Sequence, residues 1–272
     1  MVDLKNPFDV VRDFEAAVAE YTGAPYCVAV NSCTMALFLA CKYSEVGEVE
    51  IPKRTYVSVP MSIIHAGGSV RFRDEDWVGS YQLEQAPWNG RGIIFDSARR
   101  FTSGMYGATV DNVPVFECVS FHRSKILDLS QGGAILHNDP QADAWFRRAR
   151  FDGRAEGVEP KDDTFDTLGY HCYMSPDVAA HGLWRLSYLP KHNDDLPNDD
   201  YPDLSKIPLF QRSSQNSPGT TAGKCPTLSA SSPRQNEPEP MQSSSNALSQ
   251  RRLQQSVLGS CGMDSEWTMP IS

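Results

Sequence analysis

The chain has 272 residues, 40% hydrophobic and 22% charged, with 25 Lys and Arg against 34 Asp and Glu. A formal charge of −9 argues against a basic nucleic-acid or anionic-membrane surface, and apolar runs such as MALFLAC fall far short of the ~20 residues of a bilayer span. Seven cysteines without a CxxC pair argue against a disulfide scaffold or zinc ribbon; with no apolar signal core in MVDLKNPFDVV, a cytoplasmic protein with free thiols is expected.

Residues VVRDFEAAVAEY place Val10, Phe14, Val18 and Tyr21 on one helical stripe, which Gly23 ends. YCVAV (26–30) reads as a strand and TMALFLACKY (34–43) as a buried helix. EVEI (48–51) is the next strand. A helix then runs to Ala66, with Pro60 in its first turn and Gly67 and Gly68 past its end. SVRFR (69–73), GIIFD (92–96), VFECVSF (115–121) and GGAILHN (132–138) read as strands, DAWFRRARF (143–151) and PDVAAHGLWRLSYL (176–189) as helices. Strands alternating with helices predict an α/β domain in three layers, a mostly parallel sheet with helices on both faces. Its ligands would sit outside the carboxyl ends of the strands. The body is expected to span 1–210. Residues 211–272 hold 14 Ser, 7 Gln and 6 Pro, too few apolar groups to offset the entropy of ordering, and are expected to form a disordered tail.

Three segments fall where a ligand of such a sheet would bind. NSCTMAL (31–37) runs from a strand end into a helix, whose first N–H groups can cradle phosphate or simply be capped by Ser32 or Thr34. In GIIFDSARRF, Asp96 ends an apolar strand and needs a cation or several donors; Arg99 or Arg100 could pair with it. In VSFHRSKILDLSQGGAI, Lys125 follows a strand and precedes Gly132 and Gly133; it is either a solvated loop lysine or one tuned for Schiff-base chemistry. Together, a phosphate cradle, a strand-end acid and a later lysine are the parts of a pyridoxal-phosphate site. The acidic run HNDDLPNDDYPD (192–203) lacks the Gly and terminal Glu of a calcium loop and reads as a solvated loop.

In this order and spacing the segments resemble the DegT-type sugar aminotransferases, a branch of the fold type I pyridoxal-phosphate enzymes. NSCTMAL matches SSGTAAL, with Cys33 where Gly is usual; IPKRTYVS (51–58) matches VPSFTFVA, and FDSAR (95–99) matches EDAAQ. VSFHRSKIL…GGA (119–134) matches FSFxxTKxL…GGA, and GYHCYMSPDVAAHGL (169–183) is similar to GYNYRMS…QAALGL. The resemblance covers about residues 8–190. It implies the large domain of the fold, pyridoxal 5'-phosphate as cofactor, and a homodimer that moves an amino group from an amino acid such as glutamate to a keto sugar. It also implies roles: Lys125 as the Schiff-base lysine, Asp96 on the pyridine nitrogen, Thr34, Ser120 and the Cys33 amide on the phosphate, Tyr56 stacked on the ring, and Arg99 near its phenolic oxygen. His171 stands where the family has an Asn that reaches the partner subunit's phosphate, and Tyr173 replaces an Arg. The stretch from Phe72 to Gly92 is shorter than in the family, and the C-terminal subdomain is missing. Another pyridoxal-phosphate reaction, dehydration or racemisation, and a non-catalytic homologue are therefore alternatives on the same scaffold.

Overall fold

The structure, a computed structural model, describes residues 6–107, 113–198 and 201–213. Helix α1 (Asp9–Thr22) ends where Gly23 turns left-handed, φ 79°, and its N–H returns to Ala19. Strand β1 (Tyr26–Val30) leads into α2 (Cys33–Tyr43), which is apolar nearly all round and accordingly buried, with Ser32 capping it through the Met35 amide. Strand β2 (Glu48–Pro52) is followed by α3 (Ser58–His65), whose first turn contains Pro60, and by β3 (Ser69–Arg73). Strands β4 (Tyr81–Gln85), β5 (Ile93–Asp96), β6 (Val115–Ser120) and β7 (Gly133–His137) then follow. Helix α4 (Pro140–Ala149) starts three residues before the periodicity predicts, because Asp139 caps it and Pro140 suits its first turn. Helices α5 (Pro176–Tyr188) and α6 (Pro208–Ser213) complete the described chain. The expected body boundary at residue 210 falls inside α6, and the expected tail from 214 onward lies outside the described residues.

The strands form one sheet in the order β1-β7-β6-β5-β4-β2-β3. Helices α2, α3 and α4 cover one face, where Leu37, Ile63 and Phe146 pack with Val28, Ile94 and Phe116. Helices α1 and α5 cover the other, where Phe14, Val18 and Ala179 pack with Ala29, Val119 and Leu136. The three-layer expectation is met, and five strands run in one direction. The sheet is nevertheless mixed, because β4 and β7 run against the others and only β2–β3 and β5–β6 pair in parallel. Strand β4, not anticipated from the sequence, accounts for part of this. Parallel neighbours need a crossover of a dozen or more residues, and the connections 74–80 and 86–92 are too short for one, so β4 returns antiparallel.

A charged network closes the outer edge of β1. Glu15 of α1 accepts the Ala29 amide at 2.8 Å, Arg150 donates to the Ala29 carbonyl, and Arg147 donates to that of Cys27. Glu15 pairs with both arginines, and Arg150 also binds Glu156 at 2.6 Å. Glu15 and Arg150 are buried, a setting in which removing one partner typically costs about 3–5 kcal/mol. Among the described residues, no helix is long and apolar enough to cross a membrane and no group of His, Cys, Asp or Glu forms a metal cluster.

Candidate active site

The carboxyl ends of β1, β5 and β6 lie on one side of the sheet, together with the first residues of β4 and β7. A cavity of about 500 Å³ opens there. The sequence-predicted residues Cys33, Thr34, Tyr56, Asp96, Arg99, Ser120 and Lys125 all line it. Helix α2 points its N-terminus into this space: the amides of Cys33 and Thr34 precede the first helical bonds, which begin at Met35 and Ala36. The paired glycines make the approach feasible. Gly132 bridges Ser32 with φ 132°, and a Cβ at Gly133 would collide with the Cys33 amide. Cys33 packs inward, its thiol 3.6 Å from the Cys118 carbonyl, and burial raises its pKa well above the ordinary thiol value. It is a structural thiol here. The Thr34 hydroxyl donates to Ser58 at 2.8 Å, tying the starts of α2 and α3 together.

Asp96 is 2% exposed at the end of β5. Its Oδ1 accepts the Ala98 amide at 3.0 Å and its Oδ2 accepts the Tyr81 hydroxyl at 2.9 Å. Burial raises its pKa, against the opposing pull of these two donors and the positive charge of Lys125. Neither neighbouring arginine pairs with it, contrary to the simple pairing weighed from the sequence. Arg100 instead binds Asp195 at 2.6 Å, and Arg99 donates to the Pro197 carbonyl and lies over the Tyr201 ring at 4.8 Å. Lys125 follows a tight turn in which its amide returns to the His122 carbonyl at 2.8 Å. Burial, then the nearby Arg99, lowers its pKa, which raises the neutral fraction that lysine chemistry requires. Ser120, buried at the end of β6, accepts the His122 amide at 3.4 Å.

The acidic run proves to be a strap rather than a free loop. Asn193 bonds Tyr21 and Phe101, Asp195 binds Arg100, the Leu196 amide donates to Arg99, and Tyr201 lines the cavity opposite Tyr56, ring centroids 6.1 Å apart. Trp77, Tyr81, Thr55 and Tyr201 were not anticipated; the shortness of residues 86–92, which turns the chain straight back from β4 to β5, was the available signal for Tyr81. His171 does not reach this cavity in its own chain. It is exposed, 2.8 Å from Asp152, with Tyr173 packed between Phe8 and Phe151.

A helix N-terminus, a buried strand-end carboxylate and a half-buried lysine thus surround one cavity of an α/β protein, groups suited to a phosphorylated cofactor with a basic ring nitrogen. The model of the DegT/DnrJ/EryC1/StrS aminotransferase family matches residues 4–86 and 86–195, and the chain belongs to that family. It is 25% identical over 220 residues to the GDP-perosamine synthase of Caulobacter vibrioides, covering 67% of this chain and 57% of that protein. It is 24% identical to the L-glutamine:2-deoxy-scyllo-inosose aminotransferase of Streptomyces fradiae, covering 67% and 53%. A 69-residue segment is 45% identical to the spore coat polysaccharide biosynthesis protein SpsC of Bacillus subtilis, 24% of this chain and 18% of that one. The chain thus spans little more than half the length of the two relatives matched over most of its own length. Its fold matches the sugar aminotransferase CalS13 from Micromonospora echinospora, TM-score 0.53 at 19% identity, covering 66% and 60% of the two chains. It also matches DesV of S. venezuelae, TM-score 0.51 at 20% identity, covering 66% and 57%.

Pyridoxal 5'-phosphate is the cofactor that membership of this family implies. The residues fit it: a buried carboxylate unpaired by any arginine, a helix N-terminus that glycines allow to approach, and a lysine of lowered pKa share the cavity.

Proposed function

We propose that the protein is a cytoplasmic, pyridoxal-phosphate-dependent aminotransferase that moves an amino group from an amino acid such as glutamate to a keto sugar, in nucleotide-linked form. The observation that supports this most is the convergence of Lys125, Asp96 and the α2 N-terminus on one cavity. Bound there, the cofactor supplies an electron sink for charge developing at the substrate's α-carbon. The Cys33 and Thr34 amides and Ser120 bind its phosphate. Asp96 holds the proton of its ring nitrogen. Lys125, with its lowered pKa, would take the proton from the substrate α-carbon and deliver it to the C4′ carbon of the cofactor. Tyr56, Trp77 and Tyr201 line the same space, and Arg99 donates to the Tyr201 hydroxyl beside it. The active form is a homodimer in which the exposed His171 reaches the partner's phosphate site. Supporting a sugar acceptor are the names of the relatives, which include a perosamine synthase and an inosose aminotransferase.

Borohydride treatment of the protein loaded with pyridoxal phosphate tests the reading. The cofactor should become fixed to the peptide containing Lys125, the linkage should vanish in Lys125→Ala, and glutamate should change the visible absorbance of the untreated protein. Bound cofactor without a glutamate response would turn the reading toward another reaction, and no bound cofactor would overturn it.

A further inference from the structure

We propose that Tyr81 is a positioning residue that keeps the Asp96 carboxylate ionised and oriented, through a directed chain of hydrogen bonds from Thr55 to Tyr81 to Asp96. This rests on the cofactor reading above and deepens it. The antiparallel return of β4 sets Tyr81 directly opposite Asp96, and directly opposed residues of an antiparallel pair share a face of the sheet. The Tyr81 hydroxyl lies 2.9 Å from Asp96 Oδ2 and 2.6 Å from Thr55 Oγ1, and all three side chains are buried. An ionised carboxylate can only accept, so the single phenolic proton of Tyr81 points to Asp96. Thr55 must then donate to Tyr81. With the Ala98 amide on Oδ1, each carboxylate oxygen holds one donor, which fixes the plane of the group. Trp77 packs on the Tyr81 ring at 4.6 Å and holds it in place.

The consequence concerns one proton. Burial favours neutral Asp96, whereas each hydrogen bond donated to it favours the anion. With the cofactor in place, Asp96 and the ring nitrogen share a proton, and the pair titrates as a unit. Donation from Tyr81 drives that proton onto the nitrogen, the form in which the ring accepts charge best. A tyrosine that merely filled space would not affect where the proton resides.

The test uses the full chain loaded with pyridoxal phosphate carrying nitrogen-15 in its ring, observed by magnetic resonance at constant pH. In the wild type the nitrogen should resonate as a protonated pyridine. Tyr81→Phe keeps the ring against Trp77 and should lower the ratio of protonated to neutral nitrogen by about tenfold, the typical effect of one hydrogen bond to a charged group. Thr55→Val should shift the resonance the same way by less, because it removes only the donor behind Tyr81. A wild-type resonance in either folded variant overturns the proposal, and Thr55→Val decides alone if Tyr81→Phe does not fold. A wild type that binds no cofactor overturns the cofactor reading along with the proposal, whereas one that binds it with a neutral nitrogen overturns the proposal alone.

Discussion

Glu117 sits in the middle of β6 and faces the α1–α5 layer, away from the cavity. It is 7% exposed, and its Oε2 has no hydrogen-bond partner among the described residues. Burial raises its pKa from 4.5 to about 7, with Arg100 pulling the other way. Between those two values the folded state holds a proton that the unfolded state has lost, so stability falls as pH rises through this window. Glu117→Gln keeps the shape without the charge. It should flatten the pH dependence between about 4.5 and 7 and stabilise the protein above that range by up to about 3 kcal/mol. Denaturant melts at mildly acidic and mildly alkaline pH check this, and equal slopes for both proteins would refute it. Asp96 is also buried and raised, yet it has two donors and a nearby lysine. The contrast separates a carboxylate the fold merely tolerates from one it equips.

At the scale of elements, the strap of residues 190–198 reaches the cavity through Arg99, a lining residue whose carbonyl accepts the Leu196 amide. A Cβ at Gly79, φ 70°, would strike the Asp195 carboxylate, so that glycine lets the strap lie down and Arg100 fastens it. The pair is only partly buried, which limits its contribution to about 1 kcal/mol or less. Asp195→Ala should therefore barely move the melting midpoint while speeding hydrogen exchange at the Leu196 amide, which bonds Arg99. Unchanged exchange there would mean that Arg100 does not hold the strap. The sequence told a reader about α1, α2 and strands such as SVRFR, since each carries its own period and end signal. The motif residues from Cys33 to Lys125 were equally legible and do line one cavity. Tyr81, the strap and the direction of β4 were not, because they follow from how short connections force distant segments together, and no local pattern encodes that. The acidic run illustrates the point: Asp195 looked solvated until Arg100 supplied its partner, and Asn193 likewise found Tyr21, both from elsewhere in the chain.

At the scale of the whole molecule, α6 tests where the folded body ends. Phe210 is 1% exposed and packs edge-on against Phe72 of β3, ring centroids 6.0 Å apart. A chain ending at Ser213 should melt as the full chain does. One ending before Pro208 should melt several degrees lower, since losing a buried phenylalanine costs about 3–5 kcal/mol. Equal midpoints for both truncations would show that α6 adds nothing to stability. The network on β1 matters at this scale too. A bare sheet edge is a template on which another chain can crystallise strand by strand, and fibres grow that way. Here the Ala29 amide and carbonyl and the Cys27 carbonyl are already engaged by Glu15, Arg150 and Arg147, and the Asn31 amide by Cys172. An incoming strand would have to evict buried ions to gain ordinary hydrogen bonds. This end of the sheet is therefore closed to polymerisation, and a copy of the chain that met it would have to do so through helices and loops.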